Sequence, residues 1–347
     1  MKRIIYTLVI LLLVLIVAIT LRTLLKAGTF KNLQYHSDFA ESMVRGVMGA
    51  EDIQIDWASQ KAYISSCDRR KAQAGEPYTG AIYFLDLSSE KPDPVKMPST
   101  WSPADFRPHG ISLFRDADSS LWLFAVNHPD PGPSVEVFEI RNDSLFHTET
   151  ITGDFLKSPN DLVATGRRQF YFTNDHGADA SVSHWKDFVL IGTGEVGYFD
   201  GEKGHILEAG LRYPNGINTS ADGKELFVAL TTDGSISVYQ TEPWSFKYKI
   251  HLGTGVDNLD FDEAGNLWTA AHPKMLAFLA HAKDPAKRSP SQVLMLTRDD
   301  NGQFTQVEEL YLSDGNPLSG SSVAVNYNGK IFVGSVFEDG VLVLERR

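Results

Sequence analysis

Oxygen-bearing and imidazole side chains occur just before short apolar strands at six separate places in this sequence. The junctions are Glu51-Asp52, Pro108-His109-Gly110, Pro159-Asn160-Asp161, Pro214-Asn215-Gly216, Asp257-Asn258 and Gly320-Ser321-Ser322. Carboxylate and amide oxygens are ligands that Ca²⁺ prefers, whereas Zn²⁺ sites are built mainly from cysteine and histidine. If the fold brings the junctions together, they predict a calcium site with a histidine beside it.

The charges of these junctions favour a pair of calcium ions. The junctions supply four carboxylates and contain no lysine or arginine. Buried carboxylates without compensation repel one another, and their pKa values rise. Four negative charges match two calcium ions. Taken singly, each junction is equally compatible with a turn or a loop cap, so the prediction depends on their common position in the repeat.

A two-strand unit that recurs six times must position these junctions. The paired segments are 52–55 with 62–65, 110–113 with 121–124, 161–164 with 170–173, 216–219 with 226–229, 258–261 with 267–270, and 322–325 with 331–334. Turns such as Asp222-Gly223-Lys224 and Asn328-Gly329-Lys330 supply the positive φ that tight hairpins require. The repeats predict an all-β, six-bladed β-propeller with a central calcium-binding tunnel. A β-sandwich, the alternative, does not require one unit to return six times.

The N-terminus differs in character from the rest of the chain. Residues 4–21 are almost entirely apolar and have basic residues on both sides, and a stretch of this length can span a bilayer. We therefore expect residues 1–26 to be a transmembrane signal-anchor and residues 27–347 to be one propeller domain. The alternative is a cleaved signal peptide and a secreted enzyme, although no small-x-small cleavage site follows the apolar stretch.

Composition excludes some partners and some modes of stabilisation. The 347-residue chain has a formal net charge of −12 and no basic block in its body, so no nucleic-acid partner is expected. Cys67 is the only cysteine, which excludes an intramolecular disulfide. Sequons at Asn142 and Asn218 permit glycosylation.

Several of these segments, taken in order, match a known family. They are Glu51-Asp52, Pro108-His109-Gly110-Ile111-Ser112, Val126-Asn127-His128-Pro129, Asn160-Asp161-Leu162-Val163, Thr173-Asn174-Asp175-His176, Asn215-Gly216-Ile217-Asn218 and Val256-Asp257-Asn258. From about Gly46 to Leu344 the sequence resembles the calcium-dependent paraoxonase and arylesterase family, which is related to gluconolactonase-like propellers. The resemblance implies a hydrolase of carboxylic esters, aryl esters or lactones, with the propeller on the extracytoplasmic side.

The resemblance also implies roles for individual residues. It implies a catalytic calcium bound by Glu51, Asn160, Asn215, Asp257 and Asn258. It implies a structural calcium bound by Asp52, Asp161 and the backbone carbonyl of Ile111. The catalytic calcium would polarise the substrate carbonyl while His109, oriented or relayed by His128, takes a proton from water. Asp175, His176 and His272 match family positions near the tunnel and would support the ligands or shape the site.

The chain also departs from its mammalian relatives. A disulfide joins the two ends of those proteins, but here Ala40 and the region 342–344 offer no cysteine, so we expect strand pairing to close the ring. The place of the family's free cysteine is taken by Ala271. The second half of segment 176–188 and the tail after Phe337 diverge, and walls of this kind set substrate shape. Two other functions stay open: a gluconolactonase-like or strictosidine-synthase-like enzyme, and a non-catalytic, calcium-stabilised binding propeller.

Overall fold

The computed structural model describes residues 2–101, 103–130, 132–177 and 183–347. Within these ranges the chain forms six antiparallel sheets, which follow one another as the blades of a propeller behind an N-terminal helix. The first strands of neighbouring blades contact one another in a closed cycle, so these strands surround the axis. The predicted all-β, six-bladed propeller is confirmed.

The strands run outward from the axis in chain order. Blade 1 contains β3 (Ala50–Asp56), β4 (Lys61–Ser66), β5 (Ala81–Asp86) and β6 (Val95–Lys96). Blade 2 contains β7 (Pro108–Arg115), β8 (Leu121–Asn127), β9 (Ser134–Arg141) and β10 (Ser144–Ile151). Blade 3 contains β11 (Pro159–Gly166), β12 (Gln169–Asn174), β13 (Gly194–Phe199) and β14 (Gly204–Leu211). The predicted two-strand units are the two inner strands of each blade.

The remaining blades follow the same order. Blade 4 contains β15 (Pro214–Thr219), β16 (Glu225–Leu230), β17 (Ser235–Gln240) and β18 (Ser245–His251). Blade 5 contains β19 (Gly255–Phe261), β20 (Leu267–His272), β21 (Ser291–Arg298) and β22 (Phe304–Ser313), with the short β1 (His36–Ser37) added at its edge. Blade 6 contains β23 (Ser321–Tyr327), β24 (Lys330–Ser335) and β25 (Asp339–Arg346).

Blade 6 is completed by the other end of the chain. Its fourth strand is β2 (Phe39–Met48), which pairs antiparallel with β25 so that Ala40 faces Glu345 and Met43 faces Leu342. The expected closure by strand pairing is therefore confirmed. The paired strands contain Ala40 and residues 342–344, the region where the mammalian relatives have their disulfide. Backbone hydrogen bonds and the packing of Phe39 replace the covalent link.

Apolar packing lies between the blades and leaves the axis to polar groups. Six buried clusters are found among the described residues, and each joins a pair of neighbouring blades. Alternate side chains of a strand point to opposite faces of its sheet, so one strand contributes to the clusters on both sides. Polar turns join the two inner strands of a blade, and two of them contain a glycine with positive φ, Gly223 (+69°) and Gly329 (+83°).

The innermost strand of every blade breaks its pairing at the predicted junction. Register between the first two strands shifts between Ala50 and Ile53, Pro108 and Ile111, Pro159 and Leu162, Pro214 and Ile217, Val256 and Leu259, and Ser321 and Val323. A β-bulge leaves residues unpaired and re-aims their side chains. The skipped residues are the junction residues, so the same irregularity presents all of them at the axis.

Helices are few among the described residues: α1 (Lys2–Lys26), α2 (Arg69–Gln73), α3 (Ser183–Phe188) and α4 (Met275–Lys283). The apolar α1 has the length and composition to cross a membrane. Its end contacts the propeller, because Thr23 Oγ1 donates to the carbonyl of Phe188 at 2.6 Å and Met275 N donates to the carbonyl of Ala27 at 2.9 Å. The helix therefore ends at the face of the propeller that carries α3 and α4.

We expect Phe39→Ala to lower the free energy of unfolding by about 3–5 kcal/mol, because it empties a large buried position in the closing strand. Phe39 is 3% exposed and packs against Leu344 and Trp268, whereas Phe30 is 62% exposed. Urea unfolding of both alanine variants measures the difference. If Phe39→Ala costs no more than the matched Phe30→Ala, the closure does not stabilise the ring.

Candidate active site

Five predicted calcium ligands lie on the inner strands that surround the axis, and four of them carry a buried oxygen without a hydrogen-bond partner among the described residues. Glu51, Asn160, Asn215, Asp257 and Asn258 are all at most 6% exposed. Glu51 Oε2 and the Oδ1 atoms of the three asparagines are buried and have no hydrogen-bond partner among the described residues. A buried polar atom without a partner costs free energy, so a cluster of four needs a common partner.

Neighbouring hydrogen bonds fix the orientation of these oxygens. Asn258 Nδ2 donates to Glu51 Oε1 at 2.9 Å and to its backbone carbonyl at 3.1 Å. Ser322 Oγ donates to the same carbonyl at 2.6 Å, which ties blade 6 to blade 1. Asn215 Nδ2 donates to Thr231 Oγ1 at 3.2 Å. Because the amide nitrogens of Asn215 and Asn258 are held by protein, their oxygens are left for another partner.

Asp52 and Asp161 are two further buried carboxylates of the junctions. Asp52 accepts hydrogen bonds from the backbone nitrogens of Ile53 at 2.8 Å and Ile111 at 2.7 Å. Asp161 accepts equivalent bonds from Leu162 at 2.8 Å and Ile217 at 2.9 Å. Each aspartate thus links its own blade to the next one. At Ile111 the structure shows a contact of the backbone nitrogen, whereas the prediction concerned the carbonyl of the same residue.

Two junctions require glycine because a residue of the next blade approaches their backbone closely. A Cβ added to Gly110 would lie 2.2 Å from Asp161 Oδ1, and one added to Gly216 would lie 2.5 Å from the Cα of Asn258. Neither approach is compatible with a side chain. The two blades with glycine at this position therefore make room for the acidic and amide residues of their neighbours.

Burial dominates the electrostatics of the carboxylates. It raises the pKa of Glu51 to about 8 and that of Asp52 to about 7, with Asp257 adding repulsion in both cases. Burial also raises the pKa of Asp161 and of Asp260 well above the ordinary value, and the charge of Asp52 contributes to both shifts. Asp260 is a buried carboxylate of the tunnel that the junction pattern missed, because it lies two residues beyond its junction.

One basic side chain from outside the junctions reaches the cluster. Arg69 Nη2 lies 3.7 Å from Glu51 Oε2 and lowers the pKa of Glu51. The junctions themselves contain no such residue. Arg69 belongs to α2, in the connection between the second and third strands of blade 1. This connection lies outside the two-strand unit that repeats, so the repeat gave no indication of Arg69.

The donor set fits a hard cation better than a soft one. No cluster of three or more histidine, cysteine, aspartate or glutamate side chains suited to a metal is found among the described residues. A metal here must take amide oxygens as ligands, and the unpartnered oxygens of Asn160, Asn215 and Asn258 are of that kind. Mixed carboxylate and amide ligation is typical of Ca²⁺.

His109 and His128 form a hydrogen-bonded pair beside this cluster. His109 Nδ1 lies 3.1 Å from His128 Nε2, and His109 Nε2 lies 3.7 Å from Glu51 Oε1. Burial, with the charge of Arg69 and the neighbouring imidazole, lowers the pKa of His109 well below 6.5. Burial also lowers the pKa of His128 to about 4, although Asp175 opposes the shift. Both rings are therefore neutral near pH 7 and able to accept a proton.

The three further predicted residues hold other groups in place. His272 Nε2 lies 2.9 Å from Asp257 Oδ2, and its ring stacks on Phe278 of α4 at 3.8 Å. His176 lies between Asp175 at 2.8 Å and Asp187 at 2.7 Å. Burial alone would lower the pKa of His176, but these two carboxylates raise it to about 10. His272 thus contacts a proposed ligand, whereas His176 is a cation within an acidic pair at the start of a loop.

The proton affinities predict how the calcium-free protein responds to pH. Because the folded state binds protons on Glu51 and Asp52 that the unfolded chain releases, its free energy of unfolding should fall as pH rises from about 6.5 to about 8. His176, whose pKa is raised to about 10, adds to this fall, whereas His109 and His128 act in the opposite direction only below about pH 6.5. Thermal unfolding in excess EGTA measures the slope, and Glu51→Gln should flatten it. A melting temperature that rises over this interval would contradict the assignment.

Comparison with known proteins agrees with these features. The family profile named Arylesterase matches residues 44–343. The chain is 33% identical over 312 residues to human serum paraoxonase/arylesterase 1, covering 85% of this chain and 86% of that one. It is also 33% identical over 302 residues to human serum paraoxonase/lactonase 3, covering 83% and 84%.

Solved structures share the architecture at low identity. A luciferin-regenerating enzyme superposes with a TM-score of 0.56 at 12% identity, covering 88% of this chain and 95% of its own. This likeness concerns the propeller alone. The profile match and the human relatives, by contrast, extend over the blades that carry every predicted ligand. This chain belongs to the arylesterase family.

Proposed function

We propose that this member of the arylesterase family, an ester or lactone hydrolase, acts through a calcium ion at the propeller axis and a histidine pair beside it. The observation that supports this most directly is the group of four buried, unpartnered oxygens next to the His109 and His128 pair. Those oxygens suit a hard cation, and the neutral rings suit proton transfer.

Glu51, Asn160, Asn215, Asp257 and Asn258 would hold the catalytic calcium. When bound, calcium would act as a Lewis acid on the substrate carbonyl and stabilise the negative charge that develops there. His272 keeps Asp257 turned toward the axis through the 2.9 Å contact. Asn258, bonded to Glu51, keeps both ligands in one arrangement.

His109 is the proposed base. Its Nε2 faces the ligand cluster, and its Nδ1 faces His128, so a proton taken from water at one nitrogen can be matched by a proton passed to His128 at the other. The hydroxide equivalent then adds to the carbonyl carbon, the bond to the alcohol or phenol oxygen breaks, and that oxygen takes the proton back from the histidine pair. A neutral imidazole is required for this step, and burial keeps both rings neutral.

A second, structural calcium is proposed at Asp52, Asp161 and the carbonyl of Ile111. The two carboxylates are buried and already link neighbouring blades through backbone hydrogen bonds. An ion there would remove the penalty of burying two like charges close together. Its effect would be on stability rather than on the chemical step.

We expect Asp257→Ala to abolish calcium-dependent hydrolysis and His109→Gln to lower kcat by roughly 10²- to 10⁴-fold, because general base catalysis contributes about that much. Phenyl acetate and a γ-lactone, assayed with the full-length chain in detergent, before and after EGTA and with calcium restored, provide the measurement. Asp222→Ala and His205→Gln change the same residue types on the surface and should have no effect. Calorimetric titration of calcium should show a pair of sites, one of which is lost in Asp257→Ala.

The same assay separates the other functions. If calcium raises the melting temperature while no ester or lactone is cleaved, a calcium-stabilised binding propeller replaces the hydrolase. If aldonolactones are hydrolysed and aryl esters are not, the enzyme acts like the gluconolactonase or strictosidine-synthase group. A His109→Gln variant with full activity would remove His109 as the base but leave the metal site standing.

We further propose that residues 1–26 are a membrane anchor and residues 27–347 the hydrolase domain, placed outside the cytoplasm. Support comes from the apolar α1, whose side chains are exposed over most of its length. Its end rests on the face that carries α4, the helix whose Phe278 stacks on His272. Substrates would then reach the tunnel close to the membrane surface.

Deletion of residues 2–26 should move the protein from the membrane fraction to the soluble fraction of cells, because the apolar surface that binds lipid is removed. Carbonate extraction of membranes followed by immunoblotting measures this. A matched Leu12→Arg and Leu15→Arg double variant should weaken retention in the same direction. If expression of the full-length sequence yields a shortened, soluble protein, the segment is instead a cleaved signal peptide.

A further inference from the structure

A cavity of about 340 Å³ opens beside the histidine pair and has two arginines in its wall. Its lining includes His109 and His128 from blade 2, Arg107 just before them, and Arg69 and Gln73 from α2. The cavity therefore places cationic groups next to the proposed base. Neither arginine belongs to a junction, so the ligand pattern did not indicate them.

The charge of Arg69 is only partly used by the protein. The side chain is 14% exposed, and its Nη2 is buried with no hydrogen-bond acceptor among the described residues. The nearest carboxylate oxygen, Glu51 Oε2, lies 3.7 Å away, beyond hydrogen-bond distance. Nη1 makes a long contact of 3.5 Å to the carbonyl of Val336. If Glu51 ligates calcium as proposed, its charge is shared with the ion and Arg69 is left less compensated.

Arg107 is also weakly paired. Its Nε is buried without an acceptor among the described residues, and its Nη1 donates to the carbonyl of His128 at a long 3.4 Å. Within the described ranges its carboxylate neighbour is Asp130, which is 3.6 Å away and 91% exposed. An ion pair in that setting contributes little. Arg107 thus turns a partly buried, donor-rich group toward the cavity without a strong acceptor.

The two guanidinium groups are close enough to the histidine pair for their fields to act on it. Arg69 and Arg107 both lower the pKa of His128, after burial, and Arg69 lowers that of His109. A negative group bound in this cavity would therefore lie near the reacting centre. The planar donors of arginine match a carboxylate in geometry as well as in charge.

We propose that this cavity selects esters or lactones that carry a carboxylate away from the scissile bond, with Arg69 and Arg107 binding that carboxylate. The inference rests on the proposed hydrolase function and names its substrate class. A substrate carboxylate would accept hydrogen bonds from the unpartnered donors of the two arginines, whereas an uncharged aryl ester would leave these donors without an acceptor. Leaving buried donors unmatched costs binding free energy, so the cavity discriminates against neutral analogues.

A matched pair of substrates tests the proposal: 4-acetoxybenzoate and its uncharged methyl ester, methyl 4-acetoxybenzoate. The quantity measured is kcat/KM for release of acetate by the full-length chain in saturating calcium, expressed as the ratio of the anionic to the neutral substrate. We expect this ratio to fall about tenfold or more in Arg107→Gln and in Arg69→Gln, the loss of one charge-assisted hydrogen bond. Lysine at either position should restore part of the ratio.

Controls separate charge at the cavity from charge elsewhere. Arg168→Gln removes a cation from an exposed pair with Glu149 and should leave the ratio unchanged. Arg107 contacts none of the proposed metal ligands, so its variant is free of the effect on calcium that Arg69→Gln can have through Glu51. A ratio that is unaltered in both cavity variants, or a parallel loss on both substrates, overturns the proposal, because the arginines would then not recognise the carboxylate.

The failure of the hydrolase function is distinguishable from the failure of this inference. If the chain cleaves neither acetate ester nor any lactone, the proposed function fails. Binding of the product 4-hydroxybenzoate to the calcium-loaded protein, measured by calorimetry, does not depend on turnover. Binding that is lost in Arg107→Gln and kept in Arg168→Gln supports the anion cavity, and equal binding by all three proteins overturns it.

Discussion

Burial of like charges around one axis is the constraint on which this structure depends. Glu51, Asp52, Asp161 and Asp257 are each at most 4% exposed, and their neighbours across the tunnel are mainly amides and other acids. In a medium of low dielectric, carboxylates in such an arrangement either hold protons or hold a cation. Most contacts described here follow from that choice, from the asparagine oxygens that face inward to the histidine that fixes Asp257.

The propeller satisfies the constraint with one local device used in every blade. A regular inner strand would commit its backbone to its neighbour and point its side chains into the apolar layers between blades. The shift of register at each junction frees a short segment from that pattern. Asp52 and Asp161 use it to accept backbone hydrogen bonds from the following blade. Gly110 lets Asp161 approach, and Gly216 lets Asn258 approach. The polar centre thus also joins the blades.

The sequence predicted those parts of the molecule that repeat. Blade count, the inner strands and the clustering of the junction residues all follow from a pattern that returns six times, because rotation about an axis superposes equivalent positions. The closing strand was expected for a different reason, the absence of the disulfide that joins the ends of the mammalian relatives. Arg69, Arg107 and Asp260 were missed because they lie outside the repeating pattern. Arg69 and Arg107 come from connections between strands, and Asp260 lies in a strand at a position where other blades have different residue types. Nothing periodic marks them, and only the fold brings them to the tunnel.

This difference bears on how specificity can arise in such a protein. Residues of the inner strands are fixed by links to two neighbouring blades, so a change at Glu51 or Asn258 disturbs the ring as well as the proposed metal site. The connection that carries α2 contributes Arg69 and Gln73 from outside the blade sheets, and Arg107 precedes its strand. The charge of Arg107 can therefore change while the proposed ligand oxygens stay where they are. It follows that the ligand oxygens and the histidine pair can stay the same while the connections around them set which ester reaches them.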